Sequence, residues 1–262
     1  MKVVLFCGGL GTRLREHSDT IPKPLVSIGN RPILWHLMRY YAHYGHKDFI
    51  LCLGYRGDQI REFFLKYQEC LTNDFVYSEG GRKIELLASD IQDWRITFVD
   101  TGLHSNIGQR LLRVKKFLAG EEMFLANYSD GLSDLDLDRH VEKFRASDAI
   151  ARFAAVRTLQ SVHAVHADEA GVVKGLGQLS AAEFWINGGF FCLRHGIFDV
   201  INEGEELVEQ PFERLIAQRK LTIERHTGFW QPMDTFKDKI GFDRMEAVGD
   251  CPWMVWKPPS SR

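Results

Sequence analysis

The sequence predicts an α/β fold, with a mostly parallel central sheet covered by helices on both faces and a less regular C-terminal portion. Three observations carry this expectation. Short apolar runs alternate with helix-patterned segments through the first half of the chain. The first run ends in the glycine cluster Gly8-Gly9-Leu10-Gly11, as a strand does when it turns sharply into the next element. The 262 residues, 45% hydrophobic and 26% charged, suffice for one large α/β domain or two small ones.

Taken in order, Lys2 to Cys7 reads as a buried strand. Arg31 to Tyr44 reads as a helix, with Asn30 as its N-cap, Pro32 in its first turn and Gly45 after its end. Asp48 to Leu53 is strand-like and Asp58 to Tyr67 helix-like. Arg95 to Val99 and Met123 to Asn127 are further strands, with a helix between them. In the second half Ile150 to Val156, Gly171 to Lys174 and Phe184 to Leu193 read as strands. Pro211 to Arg219 and Thr235 to Ala247 read as helices, and residues 257–262 as a frayed tail.

Composition narrows the function classes. With 33 Lys+Arg against 35 Asp+Glu the net charge is -2, which lacks the basic excess of a nucleic-acid footprint. No apolar run approaches ~18 residues, so no membrane span is expected. The five cysteines, Cys7, Cys52, Cys70, Cys192 and Cys251, are scattered and odd in number. That is core usage in a reducing compartment, so a cytoplasmic location is expected. No Cys-x-x-Cys pair offers a structural zinc site.

Four segments hold residues that can carry chemistry. Gly8-Gly9-Leu10-Gly11-Thr12-Arg13-Leu14 can cradle phosphates with backbone N–H groups, or can be a tight strand-to-helix turn. It lacks the Gly-Lys-Ser/Thr of a P-loop and the third glycine of a dinucleotide fingerprint. Pro22-Lys23-Pro24 holds a lysine in extended backbone, from which it can be aimed at a phosphate, with Arg13 as a second cation nearby. Asp130, just after a strand, is placed for a metal that bridges phosphates, or belongs to a Ser-Asp-Gly turn. Asp234 can cap the following helix or supply a second carboxylate. Asp134, Asp136 and Asp138 read as a solvated entry to a helix. His36, His43, His46, His163 and His166 read as surface or satisfied core residues.

These motifs together resemble the sugar-1-phosphate nucleotidyltransferases. Pro32-Ile33-Leu34-Trp35-His36, Gly54-Tyr55-Arg56-Gly57, Val99-Asp100-Thr101-Gly102, Ile186-Asn187-Gly188-Gly189-Phe190-Phe191 and Gly228-Phe229-Trp230-Gln231-Pro232-Met233-Asp234 are similar to the glucose-1-phosphate cytidylyltransferase branch. The resemblance implies a Rossmann-like sheet, one catalytic domain over residues 1–256, and a homo-oligomer. It also implies Mg²⁺-dependent transfer of a cytidylyl group from CTP to a sugar 1-phosphate. Gly8, Gly9, Gly11 and Thr12 would hold the nucleotide, Arg13 and Lys23 would neutralise its phosphates, and Arg110 would lie near it. Asp130 and Asp234 would bind the metal, with Asp130 also beside the nucleotide. Asn187, Gly188, Tyr128 and Trp230 would line the sugar pocket.

The chain departs from that pattern in three places. Ser129 replaces a glycine. Gln178 stands where the family has a phosphate-gripping lysine; it can hydrogen-bond a phosphate without offsetting its charge, and Lys174 could substitute if the loop bends. Glu183-Phe184-Trp185 replaces a small polar loop, either reshaping the pocket wall or extending a buried strand. These departures keep two alternatives open: the same chemistry with another base or acceptor, or a catalytically weak nucleotide-binding regulatory subunit.

Overall fold

The computed structural model describes residues 1–9, 21–157, 163–178 and 184–257. At its centre lies β1 (Lys2–Phe6), whose Val3, Val4 and Leu5 have no exposed surface. A strand apolar on both faces has to be covered on both, and this one is. β2 (Asp48–Leu53), β3 (Arg95–Asp100) and β4 (Met123–Tyr128) complete a parallel group: β1 pairs with β2 and β4, and β2 pairs with β3. After β5 (Gly131–Ser133) come β6 (Ala151–Val156), the hairpin β7 (His163–Ala167) and β8 (Val173–Gln178), then β9 (Ile186–Asn187), β10 (Phe191–Arg194), β11 (Leu221–His226) and β12 (Trp230–Pro232). Antiparallel β10 joins β4 to β6, β9 continues along β6, and β11 runs parallel to β6 on its other side.

The helices are α1 (Ile33–His43), α2 (Gly57–Leu65), α3 (Ile107–Val114), α4 (Leu137–Arg145), α5 (Gln210–Ala217) and α6 (Phe236–Ala247). Alternation in β1 divides the core. Val3 and Leu5 face one layer with α1, Ile60 of α2, α4, Phe242 of α6 and Trp253. Val4 and Phe6 face the other with Leu111 and Val114 of α3 and Phe212 and Leu215 of α5. The parallel sheet with helices on both faces is thus present, and its antiparallel part is the less regular second half. Cys7, Cys52 and Cys192 are buried thiols, in keeping with core usage. Among the described residues no helix is long and apolar enough to cross a membrane.

Several boundaries differ from the sequence expectation. Helix α1 starts at Ile33, with Pro32 rather than Asn30 at its cap. Arg31-Pro32 instead pairs with Ser27-Ile28 around Gly29, which takes a φ of +60°. The strand expected at Gly171 to Lys174 runs from Val173 to Gln178, because Gly171 sits in the hairpin turn at φ +82°. The strand expected from Phe184 to Leu193 is broken: Gly189 and Phe190 both take positive φ, between β9 and β10. Phe184 is 66% exposed, so it does not extend a buried strand. The hairpin of Phe75–Ser78 and Lys83–Leu86 was not apparent from the pattern, because its apolar side chains stay exposed. Residues 258–262 of the expected tail lie outside the described residues.

Candidate active site

The carboxyl ends of β1, β2, β3 and β4 point to one side of the sheet, and the candidate residues converge there. Three of them come from distant parts of the chain. Lys23 opens a one-turn 3₁₀ helix, Lys23–Leu25, after an extended Pro22. The lysine itself is therefore in a turn, not in extended backbone; hydrogen bonds from Leu25 and Val26 back to Pro22 and Lys23 close it. Asp130 follows β4. Asp234 follows β12, which pairs with β5 so that Pro232 faces Gly131. The Met233 N–H donates to the Asp130 carbonyl at 2.8 Å, continuing that ladder by one step. This long-range pairing brings the two aspartates together.

Lys23 Nζ lies 2.5 Å from Asp130 Oδ2 and 2.6 Å from Asp234 Oδ1. Its side chain is only 11% exposed. Burial alone would lower its pKa, but the two carboxylates outweigh burial and raise it, so Lys23 is an ammonium. One cation between two anions leaves a net negative centre of hard oxygen donors. Two carboxylates plus phosphate oxygens and water suit a hard divalent metal. Among the described residues no larger cluster of His, Cys, Asp or Glu is gathered for a metal. Asp234 is free of the capping role considered above: Thr235 caps α6 and forms a capping box with Asp238.

Gly8 explains the first glycine. A β-carbon there would lie 2.0 Å from Arg110 Nη1. Arg110 is 3% exposed and donates to the carbonyls of Gly8, Leu53 and Gly102 and to Thr101 Oγ1, at 2.7 to 3.2 Å. It thus ties the ends of β1, β2 and the β3 turn together from beneath. Its guanidinium is held at the strand ends where the nucleotide is expected, with these protein acceptors as its partners. Gly8→Ala should push Arg110 off these acceptors and cost about 2–3 kcal/mol. Denaturant unfolding would show it; an unchanged midpoint would refute the clash. Gly9 is exposed with open space around it, whereas Gly11, Thr12 and Arg13 lie outside the described residues.

Ser129 fits without strain. Its φ is not positive among the described residues, and its hydroxyl donates to the Phe6 carbonyl at 2.9 Å. The substituted glycine has become a clasp between β4 and β1.

Beside this centre stands a wall of polar groups. Asn187 Nδ2 donates to the Tyr128 hydroxyl at 3.2 Å, and Trp230 Nε1 donates to the Gly188 carbonyl at 2.8 Å. Burial pushes the Tyr128 hydroxyl up to about 12, so it stays protonated. A β-carbon on Gly188 would strike Val156 at 2.8 Å. Sequence reasoning missed Asn127, whose Oδ1 accepts from the Phe190 N–H at 3.0 Å and holds the strand break that presents Asn187. A polar residue ending an apolar strand was the available signal. Lys174 does not join the wall. Its side chain is 62% exposed and pairs with Asp168 at 3.0 Å, near the hairpin turn. Gln178 pairs with His163 at the open end of that hairpin, four residues or about 13 Å of strand away. His36 is a satisfied core residue, accepting from Trp253 and lying 3.3 Å from the Ile28 carbonyl.

A glycine turn, a buried lysine and paired carboxylates meet at the ends of parallel strands, an arrangement suited to handling phosphates. The chain belongs to the nucleotidyl transferase family, whose profile matches residues 2–230. It is 37% identical over 259 residues to the glucose-1-phosphate cytidylyltransferases of Salmonella typhi and of Salmonella typhimurium strain LT2, covering 98% of this chain and 100% of each relative. The structure of a UDP-glucose pyrophosphorylase complexed with UDP-glucose superposes with a TM-score of 0.69 at 13% identity, over 95% of this chain and 98% of that one, a likeness of fold.

Proposed function

We propose that the chain transfers a cytidylyl group from CTP to a sugar 1-phosphate, releasing pyrophosphate and forming a CDP-sugar. The observation that carries this reading is Lys23 held between Asp130 and Asp234 at the mouth of the parallel strands. The full-length likeness to cytidylyltransferases supports the choice of CTP. An oxygen of the acceptor phosphate attacks the α-phosphorus in line; its P–O bond forms as the bond to the β-phosphate oxygen breaks, and pyrophosphate leaves. A phosphate monoester is already largely ionised at pH 7, so no general base is required. Catalysis is then positioning and charge neutralisation.

In this reading Lys23 neutralises phosphate charge, and Gly8 and Gly9 let the nucleotide approach the backbone. Tyr128, Asn187, Gly188 and Trp230 orient the sugar. Asp130 and Asp234 hold Mg²⁺, which supplies electrostatic stabilisation of the phosphates when bound. Arg13, Gly11 and Thr12 complete the nucleotide side, and residues 1–256 act as one cytoplasmic catalytic domain. The exposed Val76, Tyr77, Ile84 and Leu86 of the second hairpin support a homo-oligomer.

The test is pyrophosphate release with Mg²⁺, CTP and glucose 1-phosphate against a no-acceptor control. Acceptor-dependent release is expected. Release with another nucleotide alone would overturn the choice of CTP. The neutral Gln178, with Lys174 turned to Asp168, favours a second reading in which the acceptor differs from glucose 1-phosphate.

A further inference from the structure

We propose that Arg157, Trp185 and Arg225 form an anion clamp at the end of the sugar wall remote from Asp130 and Asp234. The acceptor is then a sugar 1-phosphate bearing a second anionic group, a carboxylate or a phosphate. This rests on the reading of Tyr128, Asn187, Gly188 and Trp230 as the sugar wall.

The strand register places the clamp. Asn187 and Arg225 both pair with Ala155, one from each side, so the three side chains share one face and one row. Ala155, small and buried, separates the two. Arg157 and Trp185 lie one residue beyond the ends of β6 and β9, and the contacts of Arg157 and Arg225 with the Trp185 ring keep all three together. The row begins at Tyr128, which Asn187 contacts and which precedes Asp130 by two residues. Strands lie about 4.8 Å apart, so Arg225 stands about 10 Å beyond Asn187 and about 15 Å from β4. The cations therefore lie on the far side of a sugar whose anomeric phosphate points to the aspartates.

Both guanidiniums lie against one ring. Arg157 Cζ is 5.1 Å and Arg225 Cζ 5.6 Å from the Trp185 ring centroid. Both arginines are exposed, and among the described residues neither guanidinium has an acidic or hydrogen-bond partner. The opposite face of the same strands is different. There Glu224 is paired by Lys143 at 2.7 Å and also by Arg152. The ions on one face are mutually satisfied, whereas two like charges on the other are brought to a single ring. An anion between them relieves that repulsion, and guanidinium forks match carboxylate or phosphate oxygens.

The test is isothermal titration of the full chain, with a non-hydrolysable CTP analogue and Mg²⁺ present. Glucose 1-phosphate, glucuronic acid 1-phosphate and glucose 1,6-bisphosphate serve as acceptor probes. At least one acidic probe is expected to bind tenfold or more tightly than glucose 1-phosphate, and the two acidic probes separate carboxylate from phosphate. The Arg157→Gln/Arg225→Gln double variant should erase that ratio, and Trp185→Leu, which keeps both charges, should reduce it. Equal binding of all three probes, or a ratio unchanged in the double variant, overturns the clamp. Pyrophosphate release distinguishes the two readings. Release with glucose 1-phosphate but no acidic preference sinks only the clamp. An acidic preference in binding, lost in the double variant, without release from any probe, sinks the transferase reading and leaves the clamp standing.

Discussion

Lys23→Ala is expected to lower kcat for pyrophosphate release by about 10²–10³, or ~3–4 kcal/mol of barrier, at saturating nucleotide. The magnitude follows from removing one preorganised cation from a site proposed to work by charge neutralisation. Lys23 is unusually well fixed for this: a 3₁₀ turn holds its backbone, and two carboxylates hold its ammonium. A second effect has a different readout. Without Lys23, Asp130 and Asp234 face each other with no cation between them. The variant should lose about 1–3 kcal/mol of stability in chelator, the partial exposure of both aspartates holding the loss below that of a deeply buried pair. Divalent metal should restore more stability to the variant than it adds to the wild type. Thermal melts with and without Mg²⁺ read this directly. Wild-type turnover would remove Lys23 from the mechanism.

Asp130→Asn and Asp234→Asn are expected to reduce activity at least 10²-fold each and to move half-activation to higher Mg²⁺ concentration. Asparagine keeps the shape and one acceptor for Lys23 while removing the charge, so the melting temperature in chelator should change little. The double variant should lose far less than the product of the single effects, because both carboxylates serve one centre. A Mg²⁺ profile unchanged in both single variants would exclude the pair as the metal site. A parallel collapse of stability would instead mark them as structural partners of Lys23.

Much of the architecture was legible because the burial that shapes it leaves a pattern. Lys2 to Phe6 and Asp48 to Leu53 are short apolar runs, and both became central parallel strands. The site was legible in its parts but not in its assembly. Gly8, Asp130 and Asp234 each had an ordinary turn or cap reading, and only the pairing of Pro232 with Gly131 brings Asp234 to Asp130. That pairing is tertiary and leaves no periodicity. The break at Gly189 and Phe190 was hidden for a related reason. Phe190 is a poor choice for a left-handed backbone, and what holds it there is Asn127, on another strand. The anchoring of Arg110 on the carbonyls of Gly8, Leu53 and Gly102 and on the Thr101 hydroxyl was not legible either, because those acceptors come from three separate strand ends.

The separation in sequence of Lys23 from its two partners has a consequence for how the protein is made. The contact with Asp130 spans 107 residues and that with Asp234 spans 211. Contacts of such high order form late, after the intervening chain has been closed into a loop. On the ribosome the first strands can pair and bury their apolar faces while Asp234 is still unmade. In the proposed reading, catalytic competence is therefore acquired only once Asp234 has been made, and a translation product interrupted before it carries Gly8, Gly9 and Lys23 without the second carboxylate of the centre.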